Sequence, residues 1–383
     1  MARHGPAFLL AAALASPAVR AQDAPNLAVS SPPAADVTIA KAIEEGVTWL
    51  VKTQNKDGSF GQYTSGRDFE VMADVPGSLH AFKVATTALC WMGLFESPLK
   101  TPQGDAAAEK ALAYLVKNAR VKRPNGMEMY NIWSFGFGLQ ALAEALAKGA
   151  KGASEADIRK ACEELVKAFE LYQVPDGGFT YYDFEVGSYH PSDSSMSFTT
   201  ATVLIALHAA KSAGLEVPDK VVARAVKSVK SCRLATGSYL YGPYLKYQPT
   251  MGINQPKGSS LRNQVCNLAL ALWGGGVTDQ DLLAGLEEMI ELHKFAIAGV
   301  RRPIPHESWY QVSGYFYLYG YAYAGMVLKR LPDLEQKRLA PKLTAQLLKV
   351  REPDGSFWDY PLYGFHKPYG TGFALMALTR YRQ

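Results

Sequence analysis

Four of the seven histidines occur in the same setting in this sequence. His80, His190, His306 and His366 each lie in an irregular stretch, shortly before an apolar helical segment. Histidine is a common general base and metal ligand, because its pKa lies near neutrality. Ordinary hydrogen-bonded loop histidines would give the same pattern. The recurrence therefore singles out these loops and leaves both interpretations open.

Polar and aromatic residues beside the histidines complete a candidate site at one rim of the molecule. The residues expected to be catalytic are His80, His306, Glu307 and His366. The residues expected to bind ligand are Asp183, His190, Asp193, Trp309, Tyr310, Tyr315, Tyr319 and Tyr369. Aromatic rings in such loops suit sugars or cations, and tyrosine also anchors long loops through its hydroxyl.

The chain contains no complete catalytic, nucleotide-binding or metal-binding motif of the common types. The cysteines are Cys90, Cys162, Cys232 and Cys266. Their spacing excludes a CxxC motif, and each falls in a helical stretch, so we expect buried apolar residues. We expect neither a metal ion nor a cofactor.

The sequence repeats one helical unit six times, over residues 39–97, 106–149, 155–218, 219–277, 278–333 and 334–383. The clearest copies contain QNKDGSFG, VPDGGFTYY and REPDGSFWDYP between a first and a second helical segment. Asp-Gly predicts a tight turn with positive φ. The phenylalanine that follows is expected to return to the core.

The two helices of each unit differ in polarity, and this difference predicts the fold. The first helix is amphipathic, as in EADIRKACEELVKAFELY, and the second is nearly free of charge, as in LRNQVCNLALALWGG. A helix that is apolar all round is buried on both sides. We therefore predict an all-α (α/α)6 toroid of six helical hairpins, forming one domain over residues 38–383. An open solenoid would need polar capping repeats, and the last helix, FALMALTRY, does not resemble one.

The turns QNKDGSFG and REPDGSFWDYP resemble the repeat motif of squalene cyclases and protein prenyltransferase β subunits. This resemblance implies the toroid, but the sites of both groups are altered here. Class II cyclases protonate an alkene with a DxDD motif, and its acid positions correspond to Met196, Phe198 and Thr199. The zinc ligands of prenyltransferases correspond to residues within 313–316 and 369–371, and all three ligands are missing.

The N-terminus predicts export. Residues 1–21 combine Arg3, a short apolar stretch and small residues before Ala21, as in a secretory signal peptide. Residues 22–37 are rich in Pro, Ser and Ala and predict a disordered leader. No later segment is long enough to span a bilayer. We therefore expect a periplasmic or extracellular monomer that is not transmembrane.

Charge and loop composition limit the partners. The formal net charge is +5, and removing Arg3 and Arg20 with the signal leaves +3, too little to predict a nucleic-acid partner. We expect a small-molecule or lipid-like ligand. Three functions stay open: an apolar, isoprenoid-like ligand in the central cavity, a carbohydrate-active lyase or hydrolase, and a non-catalytic binding scaffold.

In the segment SGYFYLYGYAYAG, residues 313–325, large and small side chains alternate as in a strand. Its position in the fifth repeat, however, is that of the second helix, so we predict an inner helix. On a helix, Tyr315, Tyr319 and Tyr323 form one stripe, and Tyr317 and Tyr321 form another on the opposite side. One stripe should face the central cavity and the other the outer helices.

Overall fold

Each repeat folds into an outer helix followed by an inner helix. The computed structural model describes residues 38–63, 78–122, 128–183 and 194–382, and the predicted signal peptide and leader lie outside them. Among these residues, the outer helices are α1 (Ile39–Thr53), α3 (Pro102–Asn118), α5 (Glu155–Tyr172), α7 (Asp219–Ser231), α9 (Asp279–Glu291) and α12 (Asp333–Leu347). The inner helices are α2 (Ser78–Glu96), α4 (Asn131–Ala147), α6 (Ser197–Ser212), α8 (Pro256–Leu272), α11 (Phe316–Leu328) and α13 (His366–Tyr381).

Short elements connect these helices. The five-residue helix α10 (His293–Ile297) follows α9. The strands β1 (Glu128–Met129) and β2 (Tyr182–Asp183) pair antiparallel, with Glu128 opposite Asp183 and Met129 opposite Tyr182. Single turns of 3₁₀-helix occur at Pro243–Leu245, Gly252–Asn254, Trp309–Gln311, Leu348–Val350 and Tyr363–Phe365.

The outer helices begin at side-chain caps and bury one face. The hydroxyl of Ser154 accepts a hydrogen bond from the Asp157 amide at the start of α5, and Thr278 forms a reciprocal capping box with Asp281 at the start of α9. Along α5, Ile158 and Leu165 are buried at helical spacing while the charged residues face outward. The amphipathic pattern of the sequence is thus the pattern of burial.

The inner helices form a closed ring. Helix α2 packs against α4, and the contacts continue through α6, α8, α11 and α13. Helix α13 then packs against α2, which closes the circle. Each outer helix packs on the ring, as α3 does on α2 and α4 and α12 does on α11 and α13. The predicted all-α toroid is confirmed, and residues 316–328 are helical as the repeat register requires.

The Asp-Gly turns join the outer helices to the ring by the same contacts in three units. The re-entrant phenylalanines are completely buried, and each donates its backbone N–H to a threonine hydroxyl on an inner helix: Phe60 to Thr87 at 3.0 Å, Phe179 to Thr200 at 2.9 Å and Phe357 to Thr371 at 3.0 Å. Gly58 has a φ of +86°, and a Cβ there would lie 2.4 Å from the Lys110 carbonyl oxygen of α3. The turn therefore needs glycine both for its backbone conformation and for its packing.

The four cysteines are buried, as their helical context predicts, and none of them forms a disulfide. In the part of the chain that the structure describes, no helix combines the length and apolarity needed to cross a bilayer.

Candidate functional site

A cavity of about 500 Å³ opens at the N-terminal ends of the inner helices. Its described lining comes from the first turns of α2, α4, α6, α11 and α13 and from the loops that precede them. The lining residues are Phe82, Ala85, Thr86, Leu89, Tyr130, Trp133, Phe137, Tyr181, Tyr182, Phe198, Pro303, Ile304, Pro305, His306, Tyr315, Phe316, Tyr319, Tyr360, Leu362, Tyr369 and Phe373. This volume is within the range of small-molecule binding sites.

The lining is aromatic and uncharged. Thirteen of the described lining residues are Phe, Tyr or Trp, and none of them is Asp, Glu, Lys or Arg. Trp133 stacks on Phe137 and on Phe198, with ring centroids 5.8 and 6.1 Å apart, and Phe373 meets Phe137 edge to face at 5.6 Å. These contacts hold the rings in place, so the cavity wall is built before any ligand enters.

The two tyrosine stripes of α11 face in opposite directions. Tyr315 and Tyr319 line the cavity. On the other side, the hydroxyls of Tyr317 and Tyr321 donate to the backbone and side-chain oxygens of Gln346 on α12, at 2.6 and 2.7 Å. The helical spacing of the sequence therefore correctly separates the cavity-facing Tyr315 and Tyr319 from the packing stripe, whereas Tyr323, the third predicted member of the first stripe, is buried outside the described lining.

His306 is held in one tautomer at the cavity wall. Its Nδ1 lies 2.8 Å from the carbonyl oxygen of Gln311, which can only accept, so Nδ1 carries the proton. Burial lowers the pKa of His306, and the positive charge of Arg262 lowers it further against the opposing effect of the Gln311 bond. The imidazole is therefore neutral at neutral pH, and its Nε2 accepts the hydroxyl proton of Tyr315 at 3.0 Å.

Asp359 and Tyr369 form a second hydrogen-bonded pair, a carboxyl group with a phenol, on the same side of the cavity. Asp359 is completely buried, and its carboxylate accepts hydrogen bonds from the Tyr369 hydroxyl at 2.5 Å and from the Leu318 amide at 2.8 Å. The Leu318 bond caps the N-terminus of α11 from the neighbouring unit. Burial raises the pKa of Asp359 to about 7, even though both hydrogen bonds favour the ionised form.

Arg262 of α8 places a positive charge behind the aromatic wall. It is completely buried, and its guanidinium lies over the rings of Tyr241, Phe316 and Phe198, at 5.1, 5.5 and 5.9 Å from the ring centroids. Its Nη2 donates to the Ile253 carbonyl oxygen, whereas Nε and Nη1 have no hydrogen-bond partner. Burial lowers the pKa of this guanidinium.

The structure separates the predicted catalytic residues. Of His80, His306 and His366, His306 is the one in the described lining. His80 is half-buried at the start of α2, and burial and the charge of Lys83 lower its pKa. His366 is half-buried against the ring of Trp358, with Nδ1 bonded to the Tyr363 carbonyl oxygen. Glu307 is exposed and outside the described lining.

The predicted binding residues divide in a similar way. Tyr315, Tyr319 and Tyr369 line the cavity. Trp309 is 72% exposed beside the ring of Phe295, and Tyr310 accepts a hydrogen bond from Lys257, both outside the described lining. Asp183 pairs with Glu128 through its backbone, and its side chain is not described. His190 and Asp193 lie outside the described residues.

The positions that correspond to the acid motif of cyclases by the resemblance in sequence hold Met196, Phe198 and Thr199. Phe198 lines the cavity, and Met196 and Thr199 are buried beside it at the start of α6. Within the described residues, no three His, Cys, Asp or Glu side chains lie close enough together to hold a metal ion.

Sequence reasoning did not select several residues that shape the site. The rings of Phe82, Trp133, Phe137 and Phe373 were assigned no role, although all lie in the first three turns of inner helices. Tyr130 and His306 have φ values of 65° and 63°, in a region that side chains other than glycine rarely adopt. Strained residues of this kind concentrate at functional sites, so their presence in the lining supports a functional cavity.

Comparison with solved structures identifies the same toroid in three enzymes of different activity. A variant of the type II terpene cyclase MstE from Scytonema, in complex with geranylgeranyl dihydroxybenzoate as substrate, is 15% identical, with a TM-score of 0.51 over 90% of this chain and 97% of that chain. The GH76A alpha-1,6-mannanase from Salegentibacter sp. HEL1_6 is 10% identical, with a TM-score of 0.56 over 89% and 99%. A D-mannose isomerase is 12% identical, with a TM-score of 0.57 over 91% and 99%.

These similarities show the fold and leave the activity open. At 10–15% identity, the shared feature is the ring of helices. No protein-family model and no curated protein matches the chain. The cavity is therefore the feature of this chain that bears on its function.

Proposed function

We propose that this chain binds an apolar, isoprenoid-like small molecule in its central cavity. The observation that carries the proposal is the described lining, with thirteen aromatic residues and no charged side chain around about 500 Å³. Burying apolar surface contributes about 25 cal/mol per Å², so a wall of this kind favours a hydrocarbon chain. The terpene cyclase neighbour, which binds a geranylgeranyl compound, supports the same ligand class by analogy.

The two other functions receive less support from the described residues. A glycosidase needs two carboxyl groups across the scissile bond. Glu307 is exposed outside the lining, and the described lining contributes no carboxylate. A non-catalytic scaffold that binds a protein or peptide at its rim does not need an open central cavity. Protonation of an alkene is not part of the proposal, because Phe198 occupies the cavity at a position where a cyclase carries its acid.

Lipid extraction tests the proposal. The folded protein is purified, extracted with organic solvent and analysed by mass spectrometry, and an isoprenoid or other apolar lipid is the expected result. In Ala85→Trp the larger side chain enters the cavity, because Ala85 lies in the lining, and the bound lipid should be lost. Ala147→Trp is the matched control, since Ala147 is exposed near the other end of an inner helix.

The proposal fails if no lipid co-purifies and a C20 isoprenoid added to the protein does not bind. It also fails if Ala85→Trp folds normally and retains as much lipid as Ala147→Trp. Export is a separate part of the proposal. N-terminal sequencing of protein from the periplasm or medium should begin after Ala21, and a retained N-terminus would contradict it.

A further inference from the structure

The hydroxyl groups on one side of the cavity share a hydrogen-bonding pattern that restricts the polar end of a ligand. We define the polar wall as His306, Tyr315, Tyr319 and Tyr369, all of which line the cavity. They come from α11, α13 and the loop that precedes α11, so they form one side of an otherwise apolar space. The direction of each hydrogen bond can be read from the chemistry of its partner.

Tyr315 donates its proton inward, away from the cavity. The Nδ1 proton of His306 goes to the Gln311 carbonyl oxygen, so the neutral ring can only accept at Nε2. The Tyr315 hydroxyl lies 3.0 Å from Nε2 and is therefore the donor. Its oxygen has no proton left for a ligand, and a ligand hydroxyl would share its lone pairs with the hydroxyls of Ser313 and Tyr241.

Tyr369 and Tyr319 show the same direction. The Tyr369 hydroxyl donates to the ionised Asp359 carboxylate at 2.5 Å, and the Tyr360 carbonyl oxygen at 3.3 Å is a second protein acceptor for the same proton when Asp359 is protonated. The Tyr319 hydroxyl lies 2.8 Å from the Thr202 hydroxyl and donates to the Phe198 carbonyl oxygen at 3.2 Å. A phenol hydroxyl has one proton and two lone pairs. Each of these hydroxyls donates its proton to another group of the protein, so it has no proton left to donate to a ligand.

A wall of acceptors selects a ligand that brings a proton. An alcohol can donate to Tyr315 or Tyr369, whereas an ether, an ester or a hydrocarbon cannot. A diphosphate would place negative charge against phenol lone pairs, and Arg262 lies behind the rings of Phe198 and Phe316, outside the described lining, so no direct ion pair would offset the lost hydration of the diphosphate. We propose that the ligand of this cavity is a neutral isoprenoid alcohol, with its hydroxyl on the polar wall. This inference rests on the proposed function and specifies the end group.

Three probes with the same carbon chain test the inference: geranylgeraniol, geranylgeranyl methyl ether and geranylgeranyl diphosphate. Binding is measured by tryptophan fluorescence, since Trp133 lines the cavity, and by native mass spectrometry. One hydrogen bond contributes roughly two- to tenfold in affinity. The alcohol should therefore bind at least about twofold more tightly than the ether, and more tightly than the diphosphate.

The variant Tyr315→Phe/Tyr369→Phe removes two of the three phenol acceptors and leaves Tyr319, whose oxygen is already 2.8 Å from the Thr202 hydroxyl, so it should bring the alcohol-to-ether ratio close to one. Tyr317→Phe is the matched control, because its hydroxyl bonds to Gln346 on the opposite face of α11, and it should keep the wild-type ratio. A ratio taken within one variant does not depend on how much of the protein is folded.

The possible results separate the two proposals. If the ether binds as tightly as the alcohol, or the diphosphate binds more tightly than the alcohol, the preference for an alcohol is wrong. The proposal that the cavity binds an isoprenoid is not contradicted by that result. An unchanged ratio in the double variant also overturns the preference for an alcohol. If none of the three probes binds to wild-type protein, the isoprenoid cavity itself is wrong.

Discussion

The buried carboxyl group of Asp359 should make the stability of the fold depend on pH in an unusual direction. Its pKa is raised to about 7 by burial, whereas an aspartate in the unfolded chain titrates near its ordinary value of 3.8. Between these values the folded state holds a proton that the unfolded chain has released. Stability is therefore highest below the unfolded value and is lost as the pH rises toward the folded value.

The size of the effect follows from the two pKa values. Between about pH 5 and about pH 8, Asp359 should lower the free energy of unfolding by about 2 to 3 kcal/mol. For a chain of this length, 1 kcal/mol shifts Tm by about 1 to 1.5 °C. Asp359→Asn does not titrate, and its amide can still accept from Leu318 and donate to the Tyr369 oxygen. The Tm of Asp359→Asn relative to wild type should thus rise by about 3 °C over this range.

Differential scanning calorimetry across the pH series measures this difference. Glu144 is also buried with a pKa raised to about 7, but it is present in both proteins and cancels in the comparison. A Tm difference that stays constant with pH would refute the reasoning, because it would mean that Asp359 does not change its charge in this range. A difference that shrinks as the pH rises would mean that the carboxylate is stabilised by the fold.

Two further substitutions test the packing. Gly58→Ala should lower Tm by several degrees, because a Cβ at φ +86° would meet the Lys110 carbonyl oxygen at 2.4 Å; Lys56→Ala in the same turn is the control, and an equal Tm in both would contradict this account of the turn. Arg262→Met should leave Tm unchanged or raise it, because it removes a buried cation with two unpartnered nitrogens; a fall of more than about 3 °C would show that the charge is needed.

The ring of helices could be predicted from the sequence because local patterns determine it. Apolar second helices, amphipathic first helices and Asp-Gly-x-Phe turns each act over a few residues and recur in register. The alternation of residues 313–325 was resolved by that register alone, and α11 shows the two tyrosine stripes on opposite faces. Such features need no knowledge of distant contacts.

Which residues line the cavity depends on the conformation of the loops, and residue types alone do not predict that conformation. His306 and His366 have similar sequence contexts, but His306 lies in the lining and His366 packs on Trp358. Part of the difference is the positive φ of His306. The sequence does not predict this backbone conformation, because the position holds neither glycine nor asparagine. Asp359 was not selected from the sequence, because its partner Leu318 is brought to it only by the packing of two units.

The arrangement behind Phe198 bears on the choice between binding and cation chemistry. A cyclase uses aromatic faces to stabilise positive charge in the cavity, and that attraction depends on the electron density of the ring. Here the guanidinium of Arg262 already lies over Phe198 and Phe316, the two lining rings at the base of α6 and α11. A second positive charge on the cavity side would be repelled by the first, across a medium of low dielectric constant. A neutral ligand meets no such repulsion, so the same buried arginine that disfavours a carbocation is compatible with an isoprenoid alcohol.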